Sequence, residues 1–253
     1  MREQRQPIGN ALQKRGVSPD GTVTAAETAY QKIRRDILSG AFAPQQRLRL
    51  ELLRQRYGMS FSPLREALNR LQTERLVAAS ALRGFSVAPI SIEEMWDVTE
   101  TRILVECEAL QRSIAKGDDD WEARVVAAFH ALDLQVRRLK SGTAESNGDH
   151  LSALETRHRE FHLALIAGCN SARLISLADQ LYFETQRYRL PSLAGQIESA
   201  ARDVALEHKQ VMDAALARDN ESARLLLAAH YRRTAEAIQL YFPPFEEHDR
   251  RSA

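Results

Sequence analysis

Residues 57–68 read Tyr57-Gly58-Met59-Ser60-Phe61-Ser62-Pro63-Leu64-Arg65-Glu66-Ala67-Leu68. Gly58 is placed to stop a helix, because glycine takes the left-handed cap conformation without a Cβ clash. Ser62 can cap the next helix, and Pro63 suits a first helical position, where a missing N–H costs nothing. Leu64, Ala67, Leu68 and Leu71 then recur at helical spacing, while Ser62, Arg65, Glu66 and Asn69 share the other face. The stretch reads as a tight turn between two helices. The second helix runs to about Arg75, apolar side inward and polar leading end outward.

Upstream, Thr24 and Glu27 form a T-x-x-E capping box, and Ala26, Tyr30, Ile33 and Ile37 follow at helical spacing. A first helix is expected over Ala25–Leu38, stopped by Ser39-Gly40, with a short extended link at Phe42-Ala43-Pro44 and a second helix over Leu50–Tyr57. Downstream, Leu76–Leu82 and Phe85–Ala88 read as two short strands around a turn at Arg83-Gly84. Helix, glycine turn, helix and ribbon make a winged helix-turn-helix over residues 24–88, behind a polar, flexible arm at 1–23. In such a domain the last helix enters the major groove by its N-terminal end. Ser60, Ser62, Arg65 and Asn69 lie at that end. Arginine suits guanine, asparagine suits adenine, and serine hydroxyls suit phosphate. Arg83 and Gly84 at the ribbon tip and Arg34 on the first helix complete the candidate DNA contacts. Solvated polar faces are the common alternative for Arg65 and Asn69, and Glu66 is placed to pair with Arg70.

Pro89 marks a boundary, and Ser91 with Glu94 opens a second capping box. From there to Tyr241 the periodicity is helical throughout: Ile92–Lys116, Trp121–Leu139, Leu151–Ala167, Ala172–Tyr188, Ala194–Ala217 and Glu221–Tyr241. Ser141–Asp149 is a loop by composition, and residues 242–253 form a tail after Pro243-Pro244. The fold class is therefore mainly α, a winged helix-turn-helix followed by an all-α bundle over 91–241. Charge divides the same way. Residues 1–90 hold 15 Lys/Arg against 7 Asp/Glu, and the remainder holds 20 against 27, which marks the first part for a polyanion. With 44% hydrophobic residues the chain can build cores, and two cysteines make no disulfide framework. No apolar run suits a membrane, so a cytoplasmic setting without membrane contact is expected. Cys107 reads as a small buried hydrophobe.

His158 and His162 lie four apart on one expected helix, with His208 and His230 on two later ones. Helix bundles can build metal sites from facing helices in this way. Spacing alone leaves a surface pair as the commoner outcome. His130, His150 and His248 have no partners in this scheme and are expected at the surface.

The segment 57–68, with Arg83-Gly84-Phe85 closing the wing, resembles the GntR family of bacterial transcription regulators over about residues 24–88. The family core is Gly-Val-Ser-Arg-Thr-Pro-Val-Arg-Glu-Ala-Leu. Ser60, Pro63, Arg65, Glu66, Ala67 and Leu68 follow it, and Phe61 departs where the family carries a DNA-contacting arginine. Residues 92–241 resemble the FadR-like, FCD-type effector domain of the same regulators. The resemblance rests on Glu100-Thr101-Arg102 with Glu106, on His158-Arg159-Glu160-Phe161-His162 before Ala167-Gly168-Cys169-Asn170, on Glu207-His208 and on His230. Metal-binding members use an Asp and three His. Carried over, these become His158, His162, His208 and His230, with His158 in place of the Asp or else swung out to leave a three-His site with open positions. An all-nitrogen set implies a divalent metal, zinc first and nickel second. Arg102 sits where the family places a carboxylate-binding arginine; a salt bridge to Glu106 is the alternative. Asn170 is expected to cap the helix near Ala172.

The resulting expectation is a homodimeric regulator on a pseudo-palindromic operator, tuned by a small carboxylate bound at the metal. Effector binding would bias the placement of the two winged domains. Two other readings compete. A three-His site with an open position can activate water, as in a metal-dependent hydrolase. A DNA-binding protein with an empty helical domain is the third.

Overall fold

The computed structural model of the chain describes residues 23–80, 84–141, 148–191 and 202–241. The expected arm, the tail, Arg83, His248, most of the 141–149 loop and the stretch 194–201 lie outside the described residues. The chain divides into two compact units between Ile90 and Ser91.

The first unit contains α1 (Ala25–Leu38), α2 (Leu50–Tyr57), α3 (Phe61–Thr73), β1 (Val77–Ser80) and β2 (Gly84–Val87). Thr24 Oγ1 accepts from the Glu27 N–H at 3.1 Å, so the serine/threonine half of the capping box is made. Glu27 itself turns to Arg70 and Gln31. Gly58 ends α2 at φ +66°, its N–H bonded to the Arg54 carbonyl. The third helix starts earlier than expected. Ser60, not Ser62, holds the cap position, without a side-chain bond. Pro63 thus falls within the first turn, where N–H groups have no helical partner and a proline is equally harmless. At its far end α3 stops at Thr73, and Arg75 adopts φ +54°. The Leu76 N–H then bonds to the Leu71 carbonyl, a Schellman closure that buries Leu76.

Of the expected ribbon, the described strands are Val77–Ser80 and Gly84–Val87, and residues 81–83 lie outside the described residues. β1 and β2 pair antiparallel with Val77 opposite Val87 and Ser80 opposite Gly84. Gly84 is a strand residue at φ +70°, a left-handed conformation that glycine adopts without a Cβ clash. The link before α2 adds to the wing: Leu48 N–H bonds to the Phe85 carbonyl, and Gln45 and Gln46 bond to Val87. Ile33, Leu53, Leu64, Leu68, Leu71 and Leu76 form the buried core under α3. Glu66 does not pair with Arg70 as expected. Arg70 instead reaches Glu27 and Glu74 and lies 3.6 Å over the Tyr30 ring, which ties α3 to α1.

The second unit contains α4 (Ile92–Lys116), α5 (Asp119–Lys140), α6 (Gly148–Ile166), a short 3₁₀ turn (Ala167–Cys169), α7 (Ala172–Pro191), α8 (Val204–Leu216) and α9 (Asn220–Tyr241). Two caps differ from expectation. Asn170 takes the left-handed position after the turn at φ +56°, and Ser171 Oγ accepts the Leu174 N–H at 3.3 Å. Helix α8 begins at Val204, not Ala194, because Asp203 caps it. Trp121, Leu110, Phe161, Leu165 and Ala215 lie at the centre of the core. Cys107 is buried as expected, and its thiol is raised to about 11 by burial. No helix among the described residues is long and apolar enough to cross a membrane.

Candidate metal centre and nucleic-acid interface

The leading end of α3 presents Ser60, Ser62, Arg65 and Asn69, all exposed. Beneath them Leu64, Ala67, Leu68 and Leu71 are fully buried. Phe61 is 38% exposed on the same end, and the Arg54 guanidinium lies 5.4 Å from its ring. Gly84 is exposed at the start of β2. Arg34 differs from this group. Its guanidinium is paired with Glu74 and its side chain is only 14% exposed, because Glu74 also holds Tyr30 and Arg70 at that spot. The structure therefore sets Arg34 in the brace under α3, apart from the exposed face.

The four histidines come together inside the second unit. His158 and His162 sit one turn apart on α6, His208 on α8 and His230 on α9. All four are buried, and one ring nitrogen from each lies within 4.8 Å of the others. Neighbouring groups fix the tautomers. The Tyr182 hydroxyl donates to the Glu155 carbonyl, so it accepts the His158 Nδ1–H at 2.9 Å. The Tyr231 hydroxyl donates to Glu106, so it accepts the His162 Nδ1–H at 2.9 Å. Glu207 accepts the His230 Nδ1–H at 2.8 Å. Arg202 in turn holds Glu207 with two hydrogen bonds, at 2.9 and 2.6 Å. Each of these imidazoles is left with a bare Nε2 lone pair, the arrangement that ligand histidines adopt.

Those lone pairs face one another. His158 Nε2 and His162 Nε2 are 3.2 Å apart with no proton available between them. His208 Nε2 is buried with no partner. Without a cation this is repulsion and an unmet polar atom, which are costly in a protein interior. Zinc–nitrogen bonds of about 2.0–2.1 Å in a tetrahedron require ligand nitrogens about 3.3–3.4 Å apart. The His158–His162 spacing of 3.2 Å is close to that edge, and the full set lies within 4.8 Å. Burial and mutual repulsion hold His158, His162 and His208 well below the usual histidine range. Burial lowers His230 to about 4 despite its bond to Glu207. The rings are neutral near pH 7, so a metal would displace no proton.

Arg102 is 3% exposed and makes the ion pair with Glu106 that stood as the alternative to a carboxylate-binding role. It also donates to Thr185 Oγ1 at 3.2 Å and to the Tyr231 hydroxyl at 3.3 Å. With Thr185 and Tyr231 it lines a narrow pocket of about 20 Å3, room for about one water, between α4, α7 and α9. Tyr231 forms a shared wall: one hydroxyl meets Arg102, Glu106 and His162.

The sequence reading missed Tyr182, Arg189, Arg202 and Tyr231. Tyr231 follows His230 directly, and adjacent helical residues point about 100° apart, so adjacency in sequence gave no sign of a shared site. Glu207, beside His208, was noted only within a motif; its partner proves to be His230. His130 is exposed, as expected.

Comparison with known proteins agrees with both halves of the geometry. Residues 25–87 match the family described as "Bacterial regulatory proteins, gntR family", and residues 97–233 match the FCD domain. An uncharacterized HTH-type transcriptional regulator, BphR of Paraburkholderia xenovorans, is 39% identical over 85% of this chain and 85% of its own. The HTH-type transcriptional repressor GlaR of Escherichia coli is 34% identical over 83% of this chain and 93% of its own. Among solved structures, E. coli McbR/YncC aligns with a TM-score of 0.67 at 22% identity, covering 87% of this chain and 100% of that one; at that identity the likeness concerns the fold. Families and relatives alike are regulators, and nothing among them favours the hydrolase alternative. The chain belongs to the gntR family of bacterial regulatory proteins, a transcriptional regulator whose helix-turn-helix domain is followed by an FCD domain.

Proposed function

We propose that this regulator binds a divalent metal through His158, His162, His208 and His230, and that a small carboxylate bound beside it at Arg102 modulates operator affinity. The observation that carries the reading is the buried His208 Nε2 without a partner, next to two other imidazole lone pairs that converge on the same point. Zinc is the favoured ion and nickel the second, since four imidazoles suit borderline metals better than manganese or magnesium. When bound, the metal offers Lewis acidity toward an anionic oxygen. The chain's own groups do the rest. Tyr182, Tyr231 and Glu207 hold three rings in one tautomer, and Arg102 presents a fork of donors suited to a carboxylate. Elemental analysis of the purified protein should find about one zinc or nickel per chain. Metal absent both as purified and after dialysis against zinc would overturn the site.

On the DNA side, Ser60, Ser62, Arg65 and Asn69 would meet the major groove, with Arg83 and Gly84 of the wing at an adjoining phosphate or minor groove. A homodimer reads a pseudo-palindrome through two such helices about one DNA turn apart. The protein would act in the cytoplasm, where its operator is. Ligand and operator communicate only if the ligand binds the DNA-competent and incompetent states with different affinity. Selecting bound genomic fragments, then repeating the binding with added metal and candidate acids, tests the reading. Operator affinity that no metal or carboxylate alters would contradict it.

A further inference from the structure

The leading end of α3 carries one large apolar side chain among its polar ones. Phe61 opens the helix and stands exposed. Tyr57 and Met59, just before it, are partly buried against the core of the first unit. Phe61 belongs neither to that core nor to the partly buried residues around it. Burial within the domain therefore gives no reason for a phenyl ring at this position. Its one charged neighbour is the Arg54 guanidinium of α2, 5.4 Å from the ring centroid and over the ring, which is cation–π distance.

The charges of the first unit point the same way. Arg34, Arg56 and Arg70 are tied to Glu74, Asp36 and Glu27. Arg54 and Arg65 are exposed and have no carboxylate partner among the described residues. A guanidinium held by a ring instead of a carboxylate keeps its full charge and its N–H donors for an outside acceptor. Beside the groove of a duplex that acceptor is a phosphate oxygen. The ring itself has no polar group to offer a base edge. In the major groove the one apolar group on those edges is the thymine 5-methyl.

We propose that Phe61 selects a thymine in the operator by contact with its 5-methyl group, while Arg54, splinted on the same ring, binds a neighbouring backbone phosphate. This rests on the reading above that the leading end of α3 enters the major groove. The two contacts are separable, because the methyl carries sequence information and the phosphate carries none. Operators are first selected from random duplexes with the full-length chain. Each thymine is then replaced in turn by deoxyuridine, which deletes only the methyl group. At one thymine position the parent chain should bind about fourfold more weakly, the worth of one buried methyl group. Phe61→Ala should abolish that difference. Arg54→Ala should weaken binding to all operators alike and flatten the salt dependence by about one unit of slope, with the thymine preference kept. Both side chains are exposed, so the variants should melt with the parent chain. A deoxyuridine series without effect on the parent chain overturns the thymine contact, as does an effect undiminished in Phe61→Ala. An unaltered salt slope in Arg54→Ala overturns the phosphate contact. In each of these cases the groove reading stands if Arg65→Ala still weakens operator binding. If Arg65→Ala changes nothing either, the groove reading falls together with this inference.

Discussion

The two candidate sites of this protein are built in opposite ways. At the leading end of α3 the polar side chains stand exposed, and the neat ordering lies beneath them, in four buried apolar residues and the Arg70–Glu27–Glu74 brace. At the histidine cluster the functional groups are themselves buried, and three of the four rings are held by a named partner on Nδ1. The contrast follows from what each must meet. A surface that docks on a polyanion takes much of its affinity from charges that water already solvates. A metal site must fix lone pairs to a fraction of an ångström in a dry interior, so its second layer is as specific as its first.

The sharpest way to break this comparison is His208→Ala. It removes the ring whose Nε2 has no other use, and metal should be lost from the purified protein, with a lower melting temperature at saturating zinc than the parent chain. Equal metal content would show that three histidines suffice. Acid is the next lever. In metal-free protein the four histidines are held below 6.5, His230 at about 4, so above pH 6.5 they are neutral in both folded and unfolded chains and contribute nothing. Below it the unfolded chain takes up protons that the folded chain refuses. Stability should therefore fall as pH drops from 6.5 toward 4, and urea midpoints that match at pH 7.5 and 5 would contradict the burial of these rings. Glu207→Gln keeps the shape but weakens the acceptor on His230, and should reduce zinc affinity about 10–100-fold in a chelator competition. Arg65→Ala should weaken operator binding by about 1–3 kcal/mol if it reads a base, with the fold intact because nothing beneath it changes. Arg34→Ala sharpens the contrast from the other side. It removes part of the brace, so thermal stability should fall more clearly than sequence preference changes on the DNA.

Much of this was legible in the sequence because it depends on local chemistry. Ile92–Lys116 was read to the residue, since Ser91 caps one end and Gly117 follows the other. The four histidines were legible as well, because their spacing and the Glu207-His208 pair carried the resemblance. What could not be read was long-range partnership. Arg70 passes over Glu66, one turn back on its own helix, for Glu74 and for Glu27, 43 residues away, because its guanidinium stacks on the Tyr30 ring between them. Arg189 lay in a helix whose periodicity announced only a core face, and its convergence with Arg102 depends on how α4 and α7 pack. Cap positions slipped where several small polar residues adjoin, as at Ser60 against Ser62 and at Asn170 against Ser171.

The single hydroxyl of Tyr231 touches the His162 ring of the cluster on one side and the Arg102 guanidinium that lines the cavity on the other. A guest that draws Arg102 away alters what that oxygen must accept, and so how firmly the His162 proton is held. Were zinc and an acid both to bind, occupancy on either side of the phenol would change the free energy of filling the other, and the thermodynamic cycle would make the effect mutual: whatever factor the acid added to zinc retention, zinc would add to retention of the acid.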